Sequence, residues 1–253
     1  NEYHIDGFRF DLMGCHDYTT MNKIRTELDK IDKRIIMYGE PWMADWGSNG
    51  IDSSSAAVMD NASKLNPRVG CFNDKMRNAL KGGTSDKSSG FIQGSTSSTA
   101  DVKAGCMAHT SSLLGKWSQA PSQTVTYNSC HDNLTLWDKI LYSQGSTDYN
   151  GSNGTFLAMN KLSAALVLTS QGVAFTQAGE EFARTKRGDE NSYNTGDAVN
   201  KIDWTRISQY SSLREYYKGL CENLGINFVK FEQIGLNITL SVSHKKLCEQ
   251  ISA

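Results

Sequence analysis

Along the first forty positions, hydrophobic and polar residues follow two different periods, one typical of a strand and one typical of a helix. In residues 7–14 apolar side chains alternate with polar or small ones between two glycines, which predicts a short β-strand. One helical face follows, with apolar residues at steps of three and four: Met21, Ile24, Leu28 and Ile31. Asp17 is the predicted N-cap of this helix, and the apolar run from Ile35 to Tyr38 is typical of a parallel strand buried on both faces. Strand, helix and strand predict a right-handed parallel crossover, with functional side chains at the carboxyl ends of its strands.

The remaining chain continues this alternation without an internal repeat. The stretch 41–67 is rich in Gly, Ser, Asn and Ala and is too long for an ordinary connection, so we predict a functional excursion there. The further predicted elements are a strand or turn with a helix over 69–81, a surface loop over 82–105, strands over 124–130 and 172–177, a helix over 158–170 and a final helix ending near Leu224. Asp132 or Asn133 is the predicted cap of the helix that follows residue 130. This order of elements favours an α/β layer or barrel.

Composition narrows the class of protein. The chain has 253 residues, enough for one barrel-sized domain, and 38% of them are hydrophobic. The 26 basic and 27 acidic residues give a net charge of −1, which argues against disorder, and nucleic acid and membrane surfaces are not expected as partners. No apolar run approaches the roughly 20 residues of a membrane-spanning helix. These features predict a soluble globular chain.

The six cysteines contain no CxxC pair, which argues against a zinc knuckle or a thioredoxin-like site. They are predicted to be separate reduced thiols packed as small hydrophobes, and this favours a cytoplasmic location. The chain begins at Asn1 without an initiator Met or signal peptide and enters a strand pattern within a few residues. We therefore expect it to be an internal part of a longer gene product.

An acidic side chain follows three of the apolar strand patterns: Asp11, Glu40 and Asp132. Each alone is more often a helix cap or an ion-pair partner. Arg9, however, lies two positions before Asp11 on the same strand face, and His131 precedes Asp132. The strings GFRFDLMG, YGEPW and HDNLTLWDK, followed by QAGEEF, NSYNTGD and IDW, resemble the conserved regions of the α-amylase family, glycoside hydrolase family thirteen. Within that family they are most similar to the type I pullulanase branch, and the resemblance extends to about residue 220.

The resemblance implies a partial TIM (β/α)8 barrel, from strand four through helix eight, with long loop insertions. It makes Asp11 the nucleophile and Glu40 the acid/base of a retaining glycosidase, whose carboxyl groups lie roughly 5 to 5.5 Å apart. Arg9 would hold Asp11 ionised, whereas burial and neighbouring carboxylates would raise the pKa of Glu40. His131 and Asp132 would bond to sugar hydroxyls, and these bonds strengthen as the ring flattens in the transition state.

Four further residues are assigned to substrate binding by the same resemblance. Trp42 would stack a leaving-side glucose, and the alternative is a Trp packed against its own loop. Asn133 belongs to the sugar-binding HDN string. Asp197 and Asn200 would lie near the non-reducing-side sugar subsites, and the alternative is a pair of solvated turn residues.

No metal site is predicted. The loop 189–200 lacks the Gly and the terminal Glu of a calcium-binding EF-hand. Glu180 and Glu181 follow a strand, yet the resemblance makes them structural. The expected reaction requires no cofactor, and a structural calcium stays open without assignable ligands.

The predicted organisation is a C-terminal half of a (β/α)8 glycosidase domain over 1–224 and an atypical tail over 225–253. In the tail four apolar residues alternate with polar ones, namely Leu236, Ile238, Leu240 and Val242, so it is either the start of a β-sandwich domain or an out-of-frame segment. The N-terminal half of the barrel is expected to be missing and the chain to be inactive alone. The expected activity is hydrolysis of α-1,6 links in pullulan, glycogen or amylopectin-derived dextrins. The alternatives are an α-1,4-acting amylase, a branching enzyme and a non-catalytic glucan-binding remnant.

Overall fold

The computed structural model describes Tyr3, residues 5–43 and 50–225, and the backbone of Leu240 and Ser241. The strands in these residues are β1 (Gly7–Phe10), β2 (Ile36–Gly39), β3 (Val69–Phe72), β4 (Thr124–Thr126), β5 (Val173–Thr176) and β6 (Leu240–Ser241). The α-helices are α1 (Tyr18–Ile31), α2 (Asp74–Lys81), α3 (Thr99–Cys106), α4 (Leu136–Ser143), α5 (Gly154–Thr169), α6 (Asp197–Asn200), α7 (Arg206–Gln209) and α8 (Ser211–Asn223). The chain forms two compact units: residues 1–73, 107–126 and 171–173, and residues 74–106, 127–170 and 174–253.

The first unit contains four parallel strands in chain order. β1 pairs with β2, β2 with β3, and β3 with β4. The helix α1 connects β1 to β2 and begins where predicted, because the Asp17 carboxylate accepts the Thr20 N–H at 2.8 Å. The predicted strand, helix and strand at the start of the chain are therefore confirmed. One apolar cluster packs beneath them: Met13, Met21, Met37, Ala57, Leu65, Val69 and Cys71.

The second unit is mainly helical. Its larger core joins α4, α5 and α8 around Trp137, Leu168 and Tyr217. A smaller core joins α2, α3 and α5 around Leu80, Val102 and Val167. The final helix predicted from the apolar spacing is confirmed as α8. These two cores therefore hold the helices of the second unit in place.

The surface loop predicted over 82–105 is wrong from residue 99 onwards. Thr99–Cys106 forms α3, and Val102 and Ala104 on it are buried. Gly105 lies so close to Met76 of α2 that a Cβ would collide with its sulfur. The many Gly, Ser and Thr residues hide this helix in the sequence, because its apolar face consists of short side chains and packing against α2 decides its conformation.

Three other boundaries differ from the sequence prediction. The strand predicted over 124–130 ends at Thr126. The following helix is capped by Thr135, whose hydroxyl accepts the Asp138 N–H at 3.1 Å, so Asp132 and Asn133 are not its caps. The helix α5 begins four residues earlier than predicted, because the Asn153 side chain accepts the Thr155 N–H at 2.9 Å and caps it there.

The predicted tail lies largely outside the described residues. Leu240 and Ser241 pair antiparallel with Thr176 and Phe175 of β5, and residues 226–239 and 242–253 are not described. Among the described cysteines, Cys15, Cys71, Cys106 and Cys221 are free thiols, as predicted. Within the same part of the chain, every helix is too short or too polar to cross a bilayer.

Candidate active site

Arg9 connects two carboxylates at the carboxyl ends of β1 and β2. Its Nη1 donates to Asp11 Oδ1 at 2.5 Å and its Nη2 donates to Glu40 Oε1 at 2.5 Å. One carboxylate oxygen of Asp11 lies within 4.8 Å of one of Glu40. The two strands are neighbours with Phe10 opposite Gly39, so Asp11 and Glu40 follow at the same level of the sheet. The Arg9 guanidinium also lies over the Phe72 ring, 5.8 Å from its centre, which restricts its orientation.

The two carboxylates differ strongly in exposure. The Asp11 side chain is 62% exposed and the Glu40 side chain is 2% exposed. A nucleophile must be reached by the substrate, whereas an acid/base profits from an enclosed environment. The roles expected for Asp11 and Glu40 stay predictions.

Main-chain groups hold Glu40 in place. The Leu12 N–H donates to Glu40 Oε2 at 2.7 Å, the Glu40 N–H donates to the Phe10 carbonyl at 3.1 Å, and the Gly14 N–H donates to the Glu40 carbonyl at 3.0 Å. Leu12 has φ 45° and ψ 49°, in the left-handed region that a branched side chain rarely adopts. The turn after β1 thus stores backbone strain while it directs an N–H at the carboxylate.

Two glycines permit this arrangement. A Cβ on Gly14 would collide with the Trp42 carbonyl, and a Cβ on Gly39 would lie 2.7 Å from the Met13 Cβ and from the Phe10 oxygen. Any side chain at either position would push the turn after β1 away from the turn after β2. The glycines in GFRFDLMG and YGEPW therefore have a packing reason at this site.

His131 and Asp132 lie in the second unit, at the start of a turn after β4. Their side chains are each more than half exposed, and His131 Nε2 lies 3.3 Å from Asp132 Oδ1. Asn133 adopts φ 61°, and its Nδ2 donates to Ser85 Oγ at 3.5 Å. The joint action of Asp132 with Asp11 and Glu40 stays a prediction.

The remaining predicted binding residues have different surroundings. Trp42 is half-buried, and its stacking role stays a prediction. Asp197 is exposed at the start of α6, a short helix within the stretch predicted as a polar loop. Asn200 braces that loop, because its Nδ2 donates to the Ser192 carbonyl at 2.6 Å and its Oδ1 accepts from Ser192 Oγ at 2.8 Å. The sugar-binding roles of Asp197 and Asn200 stay predictions.

The sequence did not indicate that Glu180, which was predicted to be structural, and Lys81 are both buried in the second unit. Glu180 is fully buried and accepts a hydrogen bond from Ser129 Oγ at 2.5 Å. Burial raises the pKa of Glu180 to about 7 and lowers the pKa of the buried Lys81 to about 7. A lysine in the last turn of a helix is typical of an exposed position, so the sequence carried no signal for Lys81.

No family model matches the chain. It is 34% identical over 221 residues to the pullulanase of Bacillus subtilis, a match covering 87% of this chain and 30% of that protein. The solved pullulanase of Paenibacillus barengoltzii, in complex with maltohexaose and α-cyclodextrin, is 43% identical with a TM-score of 0.81, over 88% of this chain and 34% of that one. The solved type I pullulanase of Bacillus subtilis with maltose is 33% identical with a TM-score of 0.81, over 88% of this chain and 30% of that one.

These similarities identify the fold and the family. The fold is a partial (β/α)8 barrel, as predicted, and the chain belongs to the α-amylase family of glycoside hydrolases. Within that family it belongs to the type I pullulanase branch. The chain spans about a third or less of the length of these relatives.

Proposed function

We propose that the protein carrying this chain is a retaining glycoside hydrolase that debranches α-glucans by cleaving α-1,6 links. The observation that supports this most strongly is the pair of carboxylates joined by Arg9, one exposed and one buried. Their nearest oxygens lie within 4.8 Å, which suits the roughly 5 to 5.5 Å carboxyl separation of retaining enzymes better than the roughly 6.5 to 9.5 Å of inverting ones.

In the first step Asp11 attacks the anomeric carbon, and Glu40 gives its proton to the departing glycosidic oxygen. In the second step Glu40 takes a proton from water, and the resulting hydroxide displaces Asp11 from the sugar. Both carboxylate oxygens of Glu40 accept a hydrogen bond, and Oε1 is our candidate for the atom that carries the transferred proton, because its donor is a side chain that can move whereas the donor to Oε2 is the main-chain N–H of Leu12. Arg9 contacts Oε1, and it must move or yield its hydrogen bond when Glu40 is protonated.

The proposed substrates are pullulan, glycogen and amylopectin-derived dextrins. The pullulanase relatives support an α-glucan, and two of the solved ones contain maltohexaose or maltose. An α-1,6 link turns the leaving-side chain away from the main glucan, so its first glucose needs an aromatic surface in a new position. Trp42, two residues after Glu40, is our candidate for that surface.

We further propose that the chain alone has little activity. A (β/α)8 barrel closes only with eight strands, and this chain matches 30% of the length of the Bacillus subtilis pullulanase. The reaction itself moves a proton and a glycosyl group between two carboxylates and needs no cofactor. Loss of turnover in the presence of a metal chelator would therefore indicate a structural ion and not a cofactor of the reaction.

The test uses the gene product that carries this chain, incubated separately with pullulan and with unbranched amylose. We expect maltotriose from pullulan and little release from amylose. Proton NMR during the first minutes should show the α-anomer of the new reducing end, as retention requires. Rapid amylose cleavage with pullulan untouched would favour the α-1,4-acting alternative, and glucan binding without turnover would favour the non-catalytic remnant. Early formation of the β-anomer would contradict Asp11 as nucleophile.

A further inference from the structure

Two buried side chains hold the peptide groups that immediately precede Asp132. Gln177 Nε2 donates to the Cys130 carbonyl at 2.5 Å, and Lys186 Nζ donates to the His131 carbonyl at 2.9 Å. Gln177 is 7% exposed and Lys186 is 5% exposed. Two hydrogen bonds to consecutive carbonyls fix the planes of both peptide groups. The backbone direction at Asp132 is therefore set by Gln177 and Lys186, which are distant from it in the sequence.

The segment that carries Lys186 is itself anchored. Asp138 of α4 is buried, and its carboxylate accepts the Lys186 N–H at 2.7 Å and the Thr185 hydroxyl. Arg187 adopts φ 55°, and its N–H donates to Thr185 Oγ1 at 2.8 Å. A residue held in the left-handed region indicates that its surroundings determine the backbone strongly. Lys186 thus projects from a rigid support.

These contacts form a closed loop. The chain runs from His131 to Asp138, the Asp138 carboxylate binds the backbone of Lys186, and the Lys186 ammonium returns to the His131 carbonyl. Asp132 lies within this loop. The pKa of Lys186 is lowered, mainly by burial and by the nearby Arg184. Asp189 and Asp132 oppose this shift. The Lys186 ammonium and the Asp132 carboxylate therefore interact electrostatically as well as through the backbone.

We propose that Lys186, assisted by Gln177, is a positioning residue that holds Asp132 in the orientation required for transition-state binding. This inference rests on the proposed function, which assigns Asp132 to the sugar hydroxyls. Lys186 contacts the backbone next to Asp132 and acts on the sugar only through that residue. Its contribution belongs to kcat, because bonds from Asp132 strengthen as the sugar ring flattens.

The experiment compares three variants of the gene product that carries this chain. Lys186→Met removes the ammonium and retains most of the side-chain length, and Lys186→Arg restores a donor and a positive charge. Lys139→Met is the matched control. Lys139 is also buried, at 0% exposed, and its Nζ donates to the Asp86 and Ser88 carbonyls at 2.6 and 2.7 Å.

On pullulan we expect Lys186→Met to lower kcat by about 10 to 100-fold while KM changes by less than about threefold, because small misplacements of a reacting group cost rates of this size. Lys186→Arg should recover kcat to within about threefold of the parent. Lys139→Met should lower the melting temperature and leave kcat within about twofold. Equal losses of kcat in Lys186→Met and Lys139→Met would reduce Lys186 to a structural residue and overturn the proposal.

The dependence on Asp132 is measured by a double-mutant cycle. In the Asp132→Asn background, Lys186→Met should lower kcat by less than about threefold, because a residue that acts through Asp132 has nothing left to position. The same loss with and without the Asp132 carboxylate would overturn the proposal. An inactive parent would instead contradict the proposed function.

A second measurement does not depend on turnover. In nuclear magnetic resonance spectra of the protein, the backbone amide signal of Asp132 should shift in Lys186→Met and stay in place in Lys139→Met. An unmoved Asp132 signal in Lys186→Met would contradict the inference even if the parent had no activity.

Discussion

Two groups of charged side chains in this molecule lie in contrasting environments. In the first unit Arg9 makes direct hydrogen bonds to Asp11 and Glu40, and Asp11 remains open to solvent. In the second unit Glu180 and Lys81 are buried, and burial is the largest cause of both pKa shifts. Lys81 lowers the pKa of Glu180 and Glu180 raises that of Lys81, yet both influences are smaller than the cost of burial.

From this difference we expect the first group to take part in the reaction and the second group to contribute to stability. Direct contact with a guanidinium stabilises charge on a carboxylate, which a nucleophile such as Asp11 requires, whereas Glu40 must release this contact before it carries a proton. Burial without such contact favours the neutral forms of both partners. Variants in the first group should therefore change turnover more than stability, and variants in the second group should change stability and its pH dependence.

The largest expected effect comes from Asp11→Asn in the gene product that carries this chain. Turnover of pullulan should fall by about 10⁴-fold or more, because the amide cannot attack the anomeric carbon. The melting temperature should change little, since the side chain is largely exposed. Steady-state kinetics and thermal unfolding measure both quantities. A variant that keeps a tenth of its activity would remove Asp11 from the mechanism.

Glu40→Gln should lower pullulan turnover by about 10² to 10⁴-fold, because the amide cannot protonate the leaving oxygen. A substrate whose leaving group needs less protonation, such as α-maltotriosyl fluoride, should lose much less in the formation of the glycosyl-enzyme. Burst kinetics with both substrates measure the contrast. Equal losses on the two substrates would assign Glu40 a role other than acid catalysis.

Glu180→Gln tests the second group through pH. The pKa of Glu180 is raised by burial from 4.5 to about 7, so the folded chain keeps a proton that the unfolded chain has already lost. The corresponding stability is complete below about pH 4.5 and is lost as the pH rises through about 7. The Gln variant cannot titrate, so its free energy of unfolding should decline less over this window, by on the order of 2 kcal/mol.

Urea unfolding at several pH values measures this difference, with Glu190→Gln as the control for an exposed carboxylate. We expect the control to follow the parent at every pH. Parallel curves for the parent and Glu180→Gln would show that burial does not control this group.

The smallest expected effect is that of Trp42→Ala, which tests whether Trp42 belongs to the same site as Asp11 and Glu40. Stacking of a sugar on an indole contributes about 1 kcal/mol beyond the buried area, so pullulan hydrolysis should fall about fivefold or more. The reduction should be seen in kcat/KM for pullulan. Unchanged kcat/KM would assign Trp42 to packing against its own loop.

The sequence predicted the first unit better than the second. At the start of the chain the apolar spacing, the Asp17 cap and the Arg9 and Asp11 pair all indicate one arrangement, and the structure contains it. The sequence did not reveal α3, because its buried face consists of small residues and is recognisable only from its packing against α2. The contact of Lys186 with the His131 carbonyl was equally hidden, since it joins positions that only the fold brings together.

The hydrogen bond from the Leu12 N–H to Glu40 has a consequence for how this site tolerates change. Since the donor belongs to the main chain, every residue except proline supplies it, and Asn or Gly at position 12 would also relieve the left-handed strain. Gly14 and Gly39 have no such freedom, because any larger residue collides with the neighbouring turn. In a library of all single substitutions, Gly14 and Gly39 should therefore be less replaceable than Leu12.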